Sequence, residues 1–196
     1  LCACGATDSA QGQETETISG LWIESEVEFG TTPSDILALT TTTDNQLLCA
    51  VVQSNGDTSQ KVDVLSSSDG VTWDAAPIYS AEVPGTGIEA SLTEDSILIL
   101  TKTEDTEQIW YAAKEATPVQ IQPTNTDMTN ISNIQFVDAD SFLLIGRDSD
   151  NNPFSGIYSL QDGRMITKVG TATGWSGLAP SSEGLAFVSE AGDLSV

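Results

Sequence analysis

The strongest constraint on this 196-residue chain is a set of apolar runs that returns every roughly 45 residues in the same order. A first run appears at Ile36–Thr40 and again at Ile88–Leu92, Ile131–Phe136 and Trp175–Ala179. Each is followed by a polar turn: Thr43-Asp44-Asn45, Thr93-Glu94-Asp95, Asp138-Ala139-Asp140 and Ser182-Glu183-Gly184. A second, more continuously apolar run follows at Leu47–Val52, Ile97–Leu100, Phe142–Ile145 and Leu185–Val188. Unbroken apolar runs of this length read as strands buried on both faces. Third runs lie at Lys61–Ser66, Gln108–Ala112 and Gly156–Ser159. More polar fourth runs lie at Val71–Asp74, Pro118–Ile121 and Met165–Val169. No stretch carries a 3.6-residue apolar period, and the turns are rich in Gly, Asn, Asp, Ser and Pro. The expected class is all-β.

Four strands per unit, with the inner ones most apolar, is the grammar of a β-propeller blade, whose faces must be buried against neighbouring blades. The expected fold is therefore a partial propeller of four-stranded antiparallel blades. Residues 30–80, 81–123 and 124–170 form three blades, and residues 171–196 form part of a fourth. Leu21–Phe29 alternates large apolar with mostly acidic residues, as a half-exposed strand does. Residues 18–29 are accordingly expected to be a closing strand that pairs into the last blade and removes an open edge. Leu1 in place of Met, and an apolar alternation beginning at Leu194-Ser195-Val196, lead us to expect a fragment of a longer protein.

Between the third and fourth runs of the first unit stands Ser66-Ser67-Ser68-Asp69-Gly70-Val71-Thr72-Trp73. Ser67, Asp69, Gly70, Thr72 and Trp73 resemble the Asp-box, or BNR repeat, of sialidases and related propellers. Ser159-Leu160-Gln161-Asp162-Gly163 stands at the same phase two units later, as a degenerate copy built on Ser159, Asp162 and Gly163. Lys114-Glu115-Ala116-Thr117 of the middle unit has lost the pattern. The resemblance implies a structural turn: Asp and Ser satisfy backbone groups, and Trp packs between strands, on the face away from any site.

Leu1-Cys2-Ala3-Cys4-Gly5 resembles the lipobox of bacterial lipoproteins, with Cys4 as the lipidated residue. Gly5 to Thr17 is small, polar and acidic, so residues 1–17 suit an anchor remnant with a flexible tether. The resemblance implies a bacterial, extracytoplasmic protein held to the membrane only by lipid. A frayed terminus with two incidental cysteines, or a Cys2–Cys4 redox pair, is the plain alternative. Cys49 lies within an apolar run and reads as a small buried hydrophobe.

Composition excludes several activities. With 29 acidic against 6 basic side chains and no histidine, the net charge is -23, which repels nucleic-acid phosphates. The absence of histidine rules out Ser–His–Asp and Cys–His catalysis within this sequence and, with three cysteines, argues against a zinc site. A sialidase needs three arginines to clamp its substrate carboxylate, and Arg147 and Arg164 are the only two present. No catalytic residue is assigned.

Loops between second and third strands gather on one face of a propeller and supply the candidate binding residues Asp57, Asp105, Arg147, Asp148 and Asp150. Asp148-x-Asp150-x-Asn152 begins like a calcium loop, but Pro153 replaces the required glycine and the twelfth position is not Glu. No cofactor is assigned, with Ca²⁺ the one ion that such carboxylates would suit. Trp22, Trp110 and Trp175 could stack on sugar rings or pack between blades. The expected function is a non-catalytic binding or scaffolding module for a glycan or protein at the cell envelope. The alternative is a sialidase-type glycoside hydrolase with its catalytic residues beyond Val196, and a third reading is an assembly factor for an envelope complex.

Overall fold

The computed structural model describes residues 26–30, 32–54, 59–104, 106–124, 128–169, 175–181, 184–189 and 194–195, the last three segments as backbone only. Its strands are β1 (Asp35–Thr41), β2 (Leu47–Ser54), β3 (Ser59–Ser67), β4 (Tyr79–Pro84), β5 (Thr86–Leu92), β6 (Ser96–Lys102), β7 (Glu107–Ala113) and β8 (Val119–Ile121). They continue with β9 (Met128–Phe136), β10 (Ser141–Asp148), β11 (Pro153–Ser159), β12 (Met165–Lys168), β13 (Trp175–Ser181), β14 (Gly184–Ser189) and β15 (Leu194–Ser195). Each successive group of four, β1–β4, β5–β8 and β9–β12, forms one antiparallel sheet in chain order. β13–β15 form a three-stranded sheet of the same order. The all-β expectation and the four-stranded unit are both borne out.

The second strand is the pivot of each unit. Ile97, Leu98, Ile99 and Leu100 of β6 are each 0% exposed. Side chains alternate across a strand, so the four divide between two cores. Ile97 and Ile99 join Leu48, Val52, Val62, Val64 and Val83 of the first sheet. Leu98 and Leu100 join Phe136, Phe142, Leu144 and Phe154 of the third. Each such side chain contributes about 1.5–3 kcal/mol through burial, so the middle sheet is held from both sides. First strands lie side by side, β1 beside β5 and β5 beside β9.

A bulge interrupts every first strand. The register shifts between Ile36 and Ala38, between Gly87 and Glu89, between Ile131 and Asn133, and between Trp175 and Gly177. In the second and third sheets the backbone N–H just before the bulge is taken by the preceding sheet. Gly87 N–H donates to Gln60 Oε1 and Ile131 N–H donates to Glu107 Oε2, both at 2.7 Å. Gln60 and Glu107 each lie near the start of a third strand, so one side-chain oxygen latches the first unit to the second and another the second to the third. The periodicity of the apolar runs carried no sign of this device.

The first unit departs from expectation at its fourth strand. Val71–Asp74 is a loop, and the strand that pairs with β3 is Tyr79–Pro84. Its alternating burial, with Tyr79, Ala81 and Val83 in and Ser80, Glu82 and Pro84 out, marks a half-exposed edge. The expected boundary after residue 80 therefore falls inside β4, and the chain passes to the second sheet at Gly85. Val71–Asp74 resembles a strand because Val71 and Trp73 alternate with polar residues, yet its backbone turns to a different partner. Glu28 N–H donates to Val71 O at 2.8 Å and Trp73 N–H to Glu28 O at 3.0 Å, an isolated parallel bridge at Glu28 and Thr72. Of the expected closing strand, residues 18–25 lie outside the described residues, and residues 26–29 lie against this loop of the first sheet.

The latch gives a direct test. Glu107→Ala should cost about 1 kcal/mol of unfolding free energy, because the half-buried N–H of Ile131 loses its partner. Glu107→Gln, which keeps a carbonyl oxygen, should cost clearly less in the same urea titration. Equal losses would show that the bond to Ile131 does not matter.

Candidate functional site

Antiparallel order puts the first-to-second and third-to-fourth connections at one end of the sheets and the second-to-third loops at the other. The box residues occupy the first end. Ser67 Oγ accepts from Gly70 N–H at 2.9 Å and donates to Asp69 Oδ1 at 3.0 Å. Asp69 Oδ1 also accepts from the N–H groups of Val71 and Thr72, both at 2.8 Å. Gly70 has φ +75°, a left-handed conformation that a side chain would strain. Trp73 is buried against Cys49, Val51 and Leu65 and stacks on Phe29, with centroids 5.8 Å apart and planes at 19°. Thr72 contributes its backbone, at the bridge to Glu28. Ser67, Asp69 and Gly70 thus close their own turn, while Thr72 and Trp73 tie it to the segment at Glu28 and Phe29 and to the core of the first sheet.

The turn at Ser159, Asp162 and Gly163 is built alike, with one residue more between Ser and Asp. Ser159 Oγ accepts from Gln161 N–H at 3.2 Å, and Asp162 Oδ1 accepts from Arg164 N–H at 3.1 Å. Gly163 has φ +67°, and a Cβ there would collide with the Gln122 carbonyl. Thr124 N–H donates to Gly163 O at 2.9 Å, so this turn too is stitched to the segment ahead of its own first strand. In the middle unit, Glu115 takes the left-handed position at φ +63° without glycine.

At the opposite end, Asp148 is consumed by its own hairpin. Its Oδ1 accepts from Asp150 N–H at 3.0 Å and Asn152 N–H at 2.8 Å, and Asn152 Nδ2 reaches Oδ2 at 3.3 Å. Arg147 lies within β10, and its Nη1 donates to Asn151 O at 2.9 Å. Asp150 sits at the exposed tip. Among the described residues no cluster of three metal-binding side chains occurs. Asp57, Asp105, Cys4 and Trp22 lie outside the described residues, as does the side chain of Trp175. Trp110 is half-buried, with Nε1 donating to Thr101 Oγ1 at 3.2 Å, so it packs between the first two sheets. Burial pushes the Cys49 thiol up to about 11, consistent with a small core residue.

Concavities among the described residues lie at both ends of the sheets. A shallow hollow of about 610 Å³ lies at the loop end, lined by Pro84, Gly85, Thr86, Ile88 and residues 102–104. A groove of about 720 Å³ lies at the box end, where residues 40–43, 92–96 and 135–139 of three successive sheets converge. Thr43 Oγ1 donates to Glu94 Oε1 across its margin at 3.4 Å. Its repeated acidic turns are visible in the sequence, but their convergence depends on the stacking of sheets. No protein-family model and no curated protein matches the chain.

The turns make stability depend on acid. Backbone N–H donors hold Asp69 below the usual carboxylate range, chiefly those of Thr72 and Val71. Asp138, Asp148 and Asp162 are lowered first by the amides of Asp140, Asn152 and Arg164 respectively. A lowered folded pKa gives stability that is complete above the unfolded value of about 3.9 and is lost as pH falls through the folded value. Stability should therefore drop below about pH 4, and Asp69→Asn should make that drop shallower. Identical pH profiles for the two proteins, measured by urea unfolding between pH 2 and 6, would refute this role.

Proposed function

We propose that the chain is part of a β-propeller that acts as a non-catalytic binding or scaffolding module for a protein ligand, tethered to a bacterial membrane through lipid on Cys4. The propeller reading is supported by stacked four-stranded units in chain order, with first strands side by side and a shared bulge. The tether rests on the lipobox resemblance of residues 1–5 and the polar run behind it.

One observation carries the choice of protein as ligand. The exposed large apolar residues among those described are Val27, Ile36, Leu39, Ile88, Val119 and Ile166, with Leu39 at 63% and Ile36 at 52%. Ile36 and Leu39 lie on β1, beside Val51 and Cys49 on the face of the first sheet turned away from the second, and Ile88 lies on β5 at the loop-end hollow. Sugar rings stack on flat aromatic faces, whereas branched aliphatic side chains match the apolar patches of protein interfaces. The sialidase alternative draws no support from the two arginines. Arg147 holds its hairpin, and Arg164, 69% exposed, lies 4.0 Å from Asp162 in the turn that follows Ser159.

The test is a photo-crosslinker placed at residue 39 or 88 in the protein expressed in its native cell. Discrete protein adducts at both positions, lost when Ile36→Asp is added, are expected. Turnover of a fluorogenic sialoside, adducts to glycan alone, or crosslinks only into the protein's own further units would overturn the reading. Cys4→Ala should release the protein from the membrane fraction, and retention would remove the lipid anchor.

A further inference from the structure

We propose that the box-end groove receives a basic amphipathic peptide segment of the ligand protein, with one apolar side chain in its floor and lysine or arginine against its rim. This inference rests on the binding-module reading and adds the place and the chemistry. The floor is apolar: Leu92 and Phe136 close their first strands there, and half-buried Tyr111 meets Phe136 edge-on at 6.4 Å. Around it stand Glu94, Asp95 and Asp138, while no lysine or arginine lines the groove. Lys114 lies in the adjoining hollow, which Glu94 and Asp95 also line. The volume of about 720 Å³ lies within the range of ligand pockets, and it is large for one side chain but suited to a short segment.

Charge complementarity selects the occupant. An anionic or neutral apolar segment would bury its own apolar surface at the cost of facing three carboxylates. A cation flanking the apolar residue turns the same carboxylates into an attraction, and the overall charge of -23 speeds its approach. Asp138 remains anionic down to acid pH because the Asp140 amide and the Ser141 hydroxyl bond its carboxylate. The groove is built from turns of three units, so it exists only once those units have stacked.

The test uses the 196-residue chain and a fluorescein-labelled hexapeptide of lysines with one central leucine, read by anisotropy at two salt concentrations. Glu94→Lys should weaken binding about tenfold, as loss and reversal of a close charge pair would. Leucine-to-alanine in the peptide should weaken it by a similar factor. Glu104→Lys, at the opposite end, should leave affinity within about twofold, because salt screens charges beyond about 10 Å. Equal weakening by both lysine variants would mean attraction by net charge alone and would overturn the groove. Equal binding of a leucine-free polyamine, or self-association that blocks the peptide, would overturn it as well. Complete absence of peptide binding, with crosslinking at residues 39 and 88 intact, would sink the groove and spare the binding-module reading.

Discussion

Directional hydrogen bonds between successive units set the geometry of this molecule. Hydrophobic burial pulls one sheet onto the next, but apolar contact is non-directional and would tolerate sliding. The bonds from Gly87 N–H to Gln60 and from Ile131 N–H to Glu107 have a direction and a length. Each joins the bulge of one first strand to the third strand of the sheet before it. Together with the bonds from the Tyr79 hydroxyl to the Thr93 and Ser96 carbonyls and from Phe136 N–H to Ser91 Oγ, they fix the stagger of neighbouring sheets and the meeting of their polar turns around one groove. Without that common stagger the acids of successive turns would not share a rim.

Much of the fold could be read from residue patterns, because the patterns are what the fold requires. Continuous apolar runs such as Ile97–Leu100 mark strands buried on both sides, and they are. The fourth strand of the first unit was misread because Trp73 is a large apolar residue in an alternating run, yet it fills a core from a loop. Tyr79–Pro84 offered an equally clear alternation, with Pro84 where an edge strand permits it. The bulges and latches were not legible, since a glutamine or glutamate near a strand start carries no mark of the backbone it will meet.

The candidate residues divided by the same logic. Ser67, Asp69 and Gly70 form a local turn, and local chemistry is visible within a few adjacent residues. Asp148 and Arg147 suggested ligand binding because charged loop residues often serve it, but both close their own hairpin. The groove floor joins residues from three distant segments, so its assembly could come only from the packing. A short motif discloses its own turn, whereas a surface made of several turns belongs to the tertiary structure.

The two-sided second strand has a consequence for how such a chain comes into being. All pairing within a sheet is between consecutive strands, so each sheet can form as soon as its own segment has left the ribosome. Its central strand then shows a bare apolar face until the following unit arrives to cover it. The youngest sheet on a growing chain is always the sticky one. Charged turns that keep nascent chains apart are therefore an advantage during synthesis, and an excess of carboxylates supplies that repulsion at every stage.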